Sequence, residues 1–77
     1  MDADLNTFLM GEAIKKAREE RHLTQEQLGN LIGVKKSQVS RMERGANLSF
    51  STMARVFKAM NISAYFSMPG IGKVALW

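Results

Sequence analysis

The chain carries a run of polar and basic side chains between residues 35 and 44 whose chemistry suits nucleic acid. Lysine and arginine can donate to O6 and N7 of guanine, and glutamine can pair with N6 and N7 of adenine. Four basic residues and one acid fall in this run, whereas the net charge of the whole chain is +4. Such a local concentration of positive charge is typical of a surface that binds DNA.

Two groups of DNA contacts are predicted in this region. The side chains expected to contact base edges are Lys36, Ser37, Gln38 and Arg41. Those expected to contact the sugar-phosphate backbone are Gln25, Lys35, Ser40 and Arg44. Two alternatives stay open, since basic helix faces are often simply solvated and Gln25 could be a solvated residue of a first helical turn.

The spacing of apolar residues places this run on the second of two short helices. Leu28 and Ile32 are four residues apart and Val39 and Met42 are three apart, so each pair lines one face of a helix. Gly33 stands where the first of these helices must end, because glycine adopts the left-handed conformation at low cost. About three residues remain for the turn, which predicts a helix-turn-helix unit.

Two further helices are predicted to flank this unit. The first runs from about Thr7 to Arg21, and its inward residues are Phe8, Leu9, Ile14 and Ala17. The last is capped by Ser49 or Ser51, and its apolar residues recur at three- and four-residue steps in Met53, Val56, Phe57 and Met60. We expect these helices to share one core with Leu23, Leu28, Ile32, Val39 and Met42.

The ends of the two short helices carry local signals as well. Thr24 is an N-cap with Gln27 three residues later, which predicts a capping box. The second short helix begins near Lys36 and is expected to close at Gly45.

After Asn61 the apolar period changes from that of a helix to that of a strand. Apolar residues alternate with Ser63, Tyr65 and Ser67, and Pro69-Gly70 suits the middle of a type II turn. We predict a helix-turn-helix domain over residues 1–61 and a strand or hairpin over 62–77 that joins two copies of the chain. The residues of this dimer strand are Ile62, Ala64, Tyr65, Phe66 and Met68. The alternative is a tail folded onto its own core.

Arg18 and Glu43 lie beside apolar stripes of the first and third predicted helices. They could meet as a half-buried ion pair that fixes the DNA-reading helix, or they could be two unrelated surface charges. Spacing alone does not choose between these alternatives.

Composition argues against several other functions. The chain has no cysteine and one histidine, His22, so we expect no metal site, no cofactor and no enzyme activity. No apolar run approaches the roughly 18 residues of a membrane span. The start, MDADLNTF, lacks the basic segment of a secretory signal, and we expect a cytoplasmic protein. A module that binds only proteins is the main rival, and Phe8, Leu9, Leu31 and Trp77 could form a partner surface or simply the edge of the core.

From about Ile14 to Met60 the chain resembles the XRE-type, Cro-like helix-turn-helix domain of phage repressors. The run that carries the resemblance is R18-x6-Q25-x2-L28-x4-G33-V34-x4-V39-x3-E43-x-G45. It implies a mainly α, lambda-repressor-like fold of four to five helices. It also implies DNA contacts at Gln25, Lys36, Ser37 and Arg41, and a buried ion pair between Arg18 and Glu43. Gly29 replaces the alanine that is usual in the family.

The flanking segments are similar to short antitoxins of the HigA and HipB type. This second resemblance implies a homodimer that binds a near-palindromic operator in double-stranded DNA, represses its own operon and binds a toxin protein. The alternatives are a stand-alone phage-type or housekeeping regulator, or a protein-binding module that has lost DNA binding.

Overall fold

Four helices and a C-terminal hairpin make up this computed structural model, which describes residues 5–46 and 48–77. The elements are α1 (Leu5–Glu20), α2 (Gln25–Ile32), α3 (Lys36–Glu43), α4 (Phe50–Ala59), β1 (Tyr65–Met68) and β2 (Gly72–Ala75). The predicted mainly α architecture with a C-terminal hairpin is confirmed. Residues 1–4, on which part of the localisation prediction depends, lie outside the described residues.

One apolar core joins the four helices. Ile14, Leu28, Val39 and Val56 are fully buried, one from each helix. Its remaining members are Ala17, Ile32, Met42, Phe57 and Met60. Helices α1 and α2 pack directly against α3, and α4 completes the core by packing against α1 and α2.

The predicted inward face of α1 was partly wrong. Phe8 and Leu9 are 51% and 48% exposed, whereas Gly11, Ile14 and Ala17 face inward. At about 100° per residue, Phe8 and Leu9 lie more than 100° around the helix axis from Ile14. The predicted core residue Leu23 is also only half-buried, because it belongs to the loop after α1.

All four helices end in the same way. A left-handed residue follows each helix (His22, Gly33, Gly45 or Asn61), with φ between 58° and 85°. The amide of the next residue then donates to the carbonyl five positions back, in the pairs Leu23–Arg18, Val34–Gly29, Ala46–Arg41 and Ile62–Phe57. This is the Schellman arrangement, which satisfies carbonyls that would otherwise lack partners.

Side-chain caps begin two of the helices. The Thr24 side chain accepts from the Gln27 amide at 3.0 Å, and the Gln27 side chain accepts from the Thr24 amide at 2.8 Å, so the predicted capping box is confirmed. Of the two serines predicted to cap α4, Ser49 does so by accepting from the Thr52 amide at 3.1 Å.

The hairpin pairs β1 with β2 in antiparallel register, with Phe66 opposite Val74. The Ile71 amide donates to the Met68 carbonyl across Pro69 and Gly70, and Gly70 has φ +83°. This is the geometry predicted for a type II turn. Strand β1 is shorter than the predicted strand. It begins at Tyr65, so Ile62 and Ala64 lie in the segment before it.

Trp77 fastens the hairpin to α4. Its ring stacks on Phe57 with centroids 5.9 Å apart and meets Phe50 edge-on at 5.6 Å. The indole nitrogen donates to the Ile62 carbonyl at 3.0 Å. Trp77 therefore belongs mainly to the packing of its own chain and not to the suggested partner surface.

Candidate nucleic-acid interface

The outward side of α3 is polar and solvent-accessible. Val39, Met42 and Glu43 form its buried side. Of the eight side chains predicted to contact DNA, Gln25 and Ser40 are half-buried and the rest are exposed. No described residue forms a hydrogen bond or ion pair with the side chains of Lys36, Ser37 or Arg41. These three side chains are free to contact a ligand.

An ion pair between Arg18 and Glu43 joins α1 to the end of α3. Arg18 Nε and Nη2 donate to the two carboxylate oxygens of Glu43 at 2.5 and 3.1 Å. The two side chains are 11% and 4% exposed, so the pair is largely buried. Arg18 Nη1 also donates to the Leu23 carbonyl at 2.8 Å. One guanidinium therefore links α1, the loop after it and α3.

The Glu43 carboxylate raises the pKa of Arg18 above its ordinary value, chiefly through their side-chain hydrogen bond, while desolvation acts in the opposite direction. An arginine is protonated at neutral pH in any case. The pair therefore keeps its cation throughout the physiological range.

Gln25 extends this network to α2. Its Nε2 donates to Glu43 Oε1 at 3.0 Å, so the amide is held in place and is not the solvated group that the alternative reading expected. The bond engages the amide nitrogen of Gln25, the first residue of α2. A helix N-terminus with free backbone N–H groups favours an anion such as a phosphate.

Two glycines set the crossing of α1 over the end of α3. A Cβ at Gly11 would lie 2.6 Å from the Glu43 carbonyl oxygen and 2.7 Å from that of Met42. A Cβ at Gly45 would lie 2.9 Å from the Thr7 carbonyl oxygen. Both positions bring backbone against backbone, which only glycine permits. Sequence reasoning missed Gly11, although a glycine inside a predicted helix was a signal of close approach.

The turn between α2 and α3 is equally tight. A Cβ at Gly29 would lie 2.6 Å from the Val34 carbonyl oxygen. The departure from the usual alanine therefore matters more than a loss of helix propensity, because this turn fixes the angle of α3. An alanine here requires a shift of the turn backbone.

Two clefts flank α3, and each contains basic side chains. The first, of about 490 Å³, lies against α1 and is lined by Lys15, Gln25, Ser40 and Arg44, together with Glu12. It thus collects three of the four predicted backbone contacts. The second, of about 140 Å³, lies against α4 and is lined by Gln38, Arg41, Thr52 and Arg55.

Lys15, Thr52 and Arg55 are candidate contacts that the sequence analysis missed. They lie on α1 and α4, outside the helix-turn-helix run, so no local motif marks them. Arg55 also donates to the Ile32 carbonyl and thereby ties α4 to the end of α2. The two clefts place cations on both sides of α3, as the two backbones of a major groove require.

Local hydrogen bonds orient two of the predicted contacts. Arg44 Nη1 donates to Ser40 Oγ at 2.8 Å, so these residues act as one unit at the edge of the first cleft. Gln38 Oε1 accepts from the Lys35 amide at 3.5 Å, which is a weak bond. Gln38 can exchange this bond for a base edge at little cost.

Neither a membrane-spanning helix nor a metal-binding cluster is found among the described residues. No described helix has the length and apolarity that a membrane span requires. Within residues 5–46 and 48–77, the histidine and acidic side chains form no group of three that could hold a metal ion.

Comparison with known proteins places this geometry in a family. A family model described as helix-turn-helix matches residues 14–66, about two thirds of the chain. No curated protein matches the chain with significant similarity. The matched domain is a DNA-binding regulatory domain and not a catalytic one. The match includes the α2–α3 unit, the Arg18–Glu43 pair and the cleft against α4, and the chain belongs to the XRE-type helix-turn-helix family of DNA-binding regulators.

Proposed function

We propose that the protein is a sequence-specific transcriptional repressor that binds a near-palindromic operator as a homodimer. One observation carries this proposal: the free, polar side of α3 stands between two clefts that contain cations. In this arrangement Lys36, Ser37, Gln38 and Arg41 read base edges. Gln25, Lys35, Ser40 and Arg44 hold the sugar-phosphate backbone.

The homodimer is proposed because a near-palindromic operator presents two half-sites, each of which takes one α3 helix. Two α3 helices must lie about 34 Å apart to enter successive major grooves on one side of the duplex. Strand β1 has β2 on one side only among the described residues, so its other edge is open to a second copy. The segment 62–77 is therefore the dimerisation element of the proposal.

Binding-site selection from random duplexes tests the base-reading assignment. Arg41→Ala is expected to lower affinity for the selected site by about 1–3 kcal/mol per half-site and to relax one base position in each half-site, with affinity for random DNA nearly unchanged. Lys35→Ala is expected to weaken both complexes alike and to reduce the salt dependence by about one unit. Lys58→Ala removes the same charge from the far end of α4 and is the control. Equal losses on cognate and random DNA for Arg41→Ala would contradict its assignment to a base.

We further propose that the protein is the antitoxin of a type II toxin–antitoxin pair and represses its own operon. Two exposed apolar residues that line neither cleft beside α3, Leu9 and Leu31, support a protein partner, whereas Phe8 lines the first cleft. A footprint on the DNA upstream of its own gene tests autoregulation. Co-expression with the product of the neighbouring reading frame tests the partner, and the expected result is a stable complex with relief of growth arrest. Growth that is normal when the neighbour is expressed alone argues instead for a stand-alone regulator.

A further inference from the structure

One face of the hairpin consists entirely of apolar residues. Successive side chains of a strand point to opposite faces, so the even-numbered residues of β1 and their partners on β2 share one face. The members of this face, called here the hairpin face, are Ala64, Phe66, Met68, Val74 and Leu76. Phe66 is 46% exposed and Leu76 is 37% exposed, whereas Ala64, Met68 and Val74 are half-buried, so the described residues cover this face only in part.

The opposite face of the same hairpin is suited to solvent. It carries Ser67 and Lys73, and the Lys73 ammonium lies 4.6 Å from the centre of the Tyr65 ring. A sheet with one polar and one apolar face normally packs its apolar face against another layer. A two-stranded hairpin alone is marginally stable in water, which makes such a layer more necessary.

An apolar groove adjoins the base of the hairpin. Its volume is about 340 Å³, and its walls come from α1, α4 and the two strand ends, including Met10, Phe50, Met53, Ala64 and Leu76. We call it the basal groove. Ala64 and Leu76 belong to both features, so the hairpin face and the basal groove form one continuous apolar surface.

The charge of this region favours a second copy of the chain as the occupant. Between residues 59 and 77 the only charged side chain is Lys73, whereas α3 and its surroundings are strongly basic. Two copies of this segment can therefore approach each other with little electrostatic repulsion. A strongly charged partner would find few opposite charges on it.

Strand geometry shows which part of the second copy reaches the groove. Strand β1 is four residues long, roughly 14 Å at about 3.4 Å per residue. If the free edges of two β1 strands pair antiparallel, the tip of each hairpin lies beside the base of the other. The tip carries Ile71, which is 69% exposed, the highest value among the large apolar residues described.

We propose that the hairpin tip of a second copy, led by Ile71, inserts into the basal groove while the two β1 edges pair. The dimer then has two equivalent tip-in-groove contacts around its two-fold axis. This inference rests on the homodimer of the proposed function and adds which surfaces form it.

Cross-linking tests the contact directly, because the natural chain has no cysteine to interfere. Single variants Ile71→Cys and Phe50→Cys are mixed and oxidised, and a disulfide-linked mixed dimer is the expected product. Leu31→Cys is the matched control, since Leu31 is 57% exposed but lies on α2 and does not line the groove. Equal yields of the 71–50 and 71–31 products would overturn the proposal.

A second experiment measures association without new covalent bonds. Ile71→Ser is expected to raise the dissociation constant of the dimer about tenfold or more, because it removes an aliphatic side chain from both grooves. Leu31→Ser, an equally conservative change at an exposed site, is expected to leave it unchanged. Sedimentation equilibrium of the full chain gives both constants, and circular dichroism confirms that each variant is folded.

The outcomes separate this inference from the proposed function. A wild-type dimer that Ile71→Ser does not weaken overturns the tip-in-groove contact, yet the homodimer stands. A chain that stays monomeric at millimolar concentration overturns both the contact and the homodimer. Base reading by α3 is judged independently of the dimer when Arg41→Ala is measured on a duplex with a single half-site, which one copy of the chain can bind.

Discussion

The helical body and the C-terminal hairpin differ in how much of their apolar surface they bury within one chain. In the body, one fully buried residue from each helix meets in the core, and the ion pair between Arg18 and Glu43 ties three segments together. In the hairpin, Phe66, Ile71 and other large apolar residues remain exposed, and Trp77 is the main attachment to α4. The body has a closed core within one chain, although Leu9 and Leu31 stay exposed on its surface, whereas the hairpin has no closed core of its own.

This difference agrees with the separate tasks proposed for the two regions, base reading by the body and dimerisation by the hairpin. A surface that reads base edges must hold its side chains in fixed positions, and the body restrains α3 through backbone contacts at Gly11 and Gly29. A surface that joins two copies gains free energy only if apolar area is still available for burial when they meet. The following four changes test whether the regions are as separate as this comparison implies.

The largest effect is expected for Glu43→Ala. It leaves the Arg18 guanidinium largely buried without its partner and releases the Gln25 amide, and loss of one member of a buried pair costs about 3–5 kcal/mol. Thermal unfolding of the variant measures the loss. The double variant Arg18→Met/Glu43→Leu is expected to recover much of it, and a single variant with wild-type stability would show that the pair restrains nothing.

Gly11→Ala is expected to cost about 1–3 kcal/mol, because a methyl group there presses on the carbonyls of Met42 and Glu43. It also tilts the end of α3, so affinity for cognate DNA should fall further than stability alone predicts. Ala13→Gly is a suitable control, since it weakens the same helix by about 1 kcal/mol without adding an atom. Comparing chemical unfolding with DNA binding for both variants separates the two effects.

Trp77→Ala is expected to cost about 1–2 kcal/mol by removing a half-buried ring from Phe57 and Phe50. Hydrogen exchange followed by NMR should show faster exchange of β1 and β2 amides, while α2 and α3 amides stay protected. Equally faster exchange in the helices would mean that the hairpin and the body unfold as one unit, which would contradict their separation.

The smallest change is a gain expected for His22→Gly. His22 has φ +58°, and a left-handed conformation costs a residue with a side chain about 1 kcal/mol relative to glycine. Part of this gain is lost to the greater freedom of glycine in the unfolded chain, so an increase of about 0.5 kcal/mol is expected. Gly33 is the left-handed residue after α2, with φ +77°, so Gly33→Ala places a side chain in that conformation. It should lower the free energy of unfolding by a similar or larger amount.

Features that depend on a few neighbouring residues could be predicted from the sequence. The capping box at Thr24 and the left-handed end of α2 at Gly33 are local, since the backbone groups they satisfy lie within five residues. The type II turn at Pro69-Gly70 belongs to the same class. The helix-turn-helix fold followed because its apolar spacing is also local.

Features set by contacts between distant segments could not be predicted in the same way. Phe8 and Leu9 were expected inside, but the covered face of α1 is decided by its close crossing with α3 at Gly11. The bond from Gln25 to Glu43 joins residues 18 apart in sequence, and neither side chain reveals the other. Lys15 and Arg55 join the candidate site only after α1 and α4 have packed beside α3.

The raised pKa of Arg18 has a consequence for how such a regulator could be controlled. Because the pKa of Arg18 is raised in the folded state, the stability that this guanidinium contributes is fully present at every pH below its ordinary pKa. That stability is lost only in strong alkali, as the pH rises through the raised pKa and removes the proton. Alkaline stress of the kind that cells survive therefore cannot loosen the orientation of α3 through this guanidinium. If the protein binds an operator as proposed, an alkaline shift of that size does not release it through this ion pair.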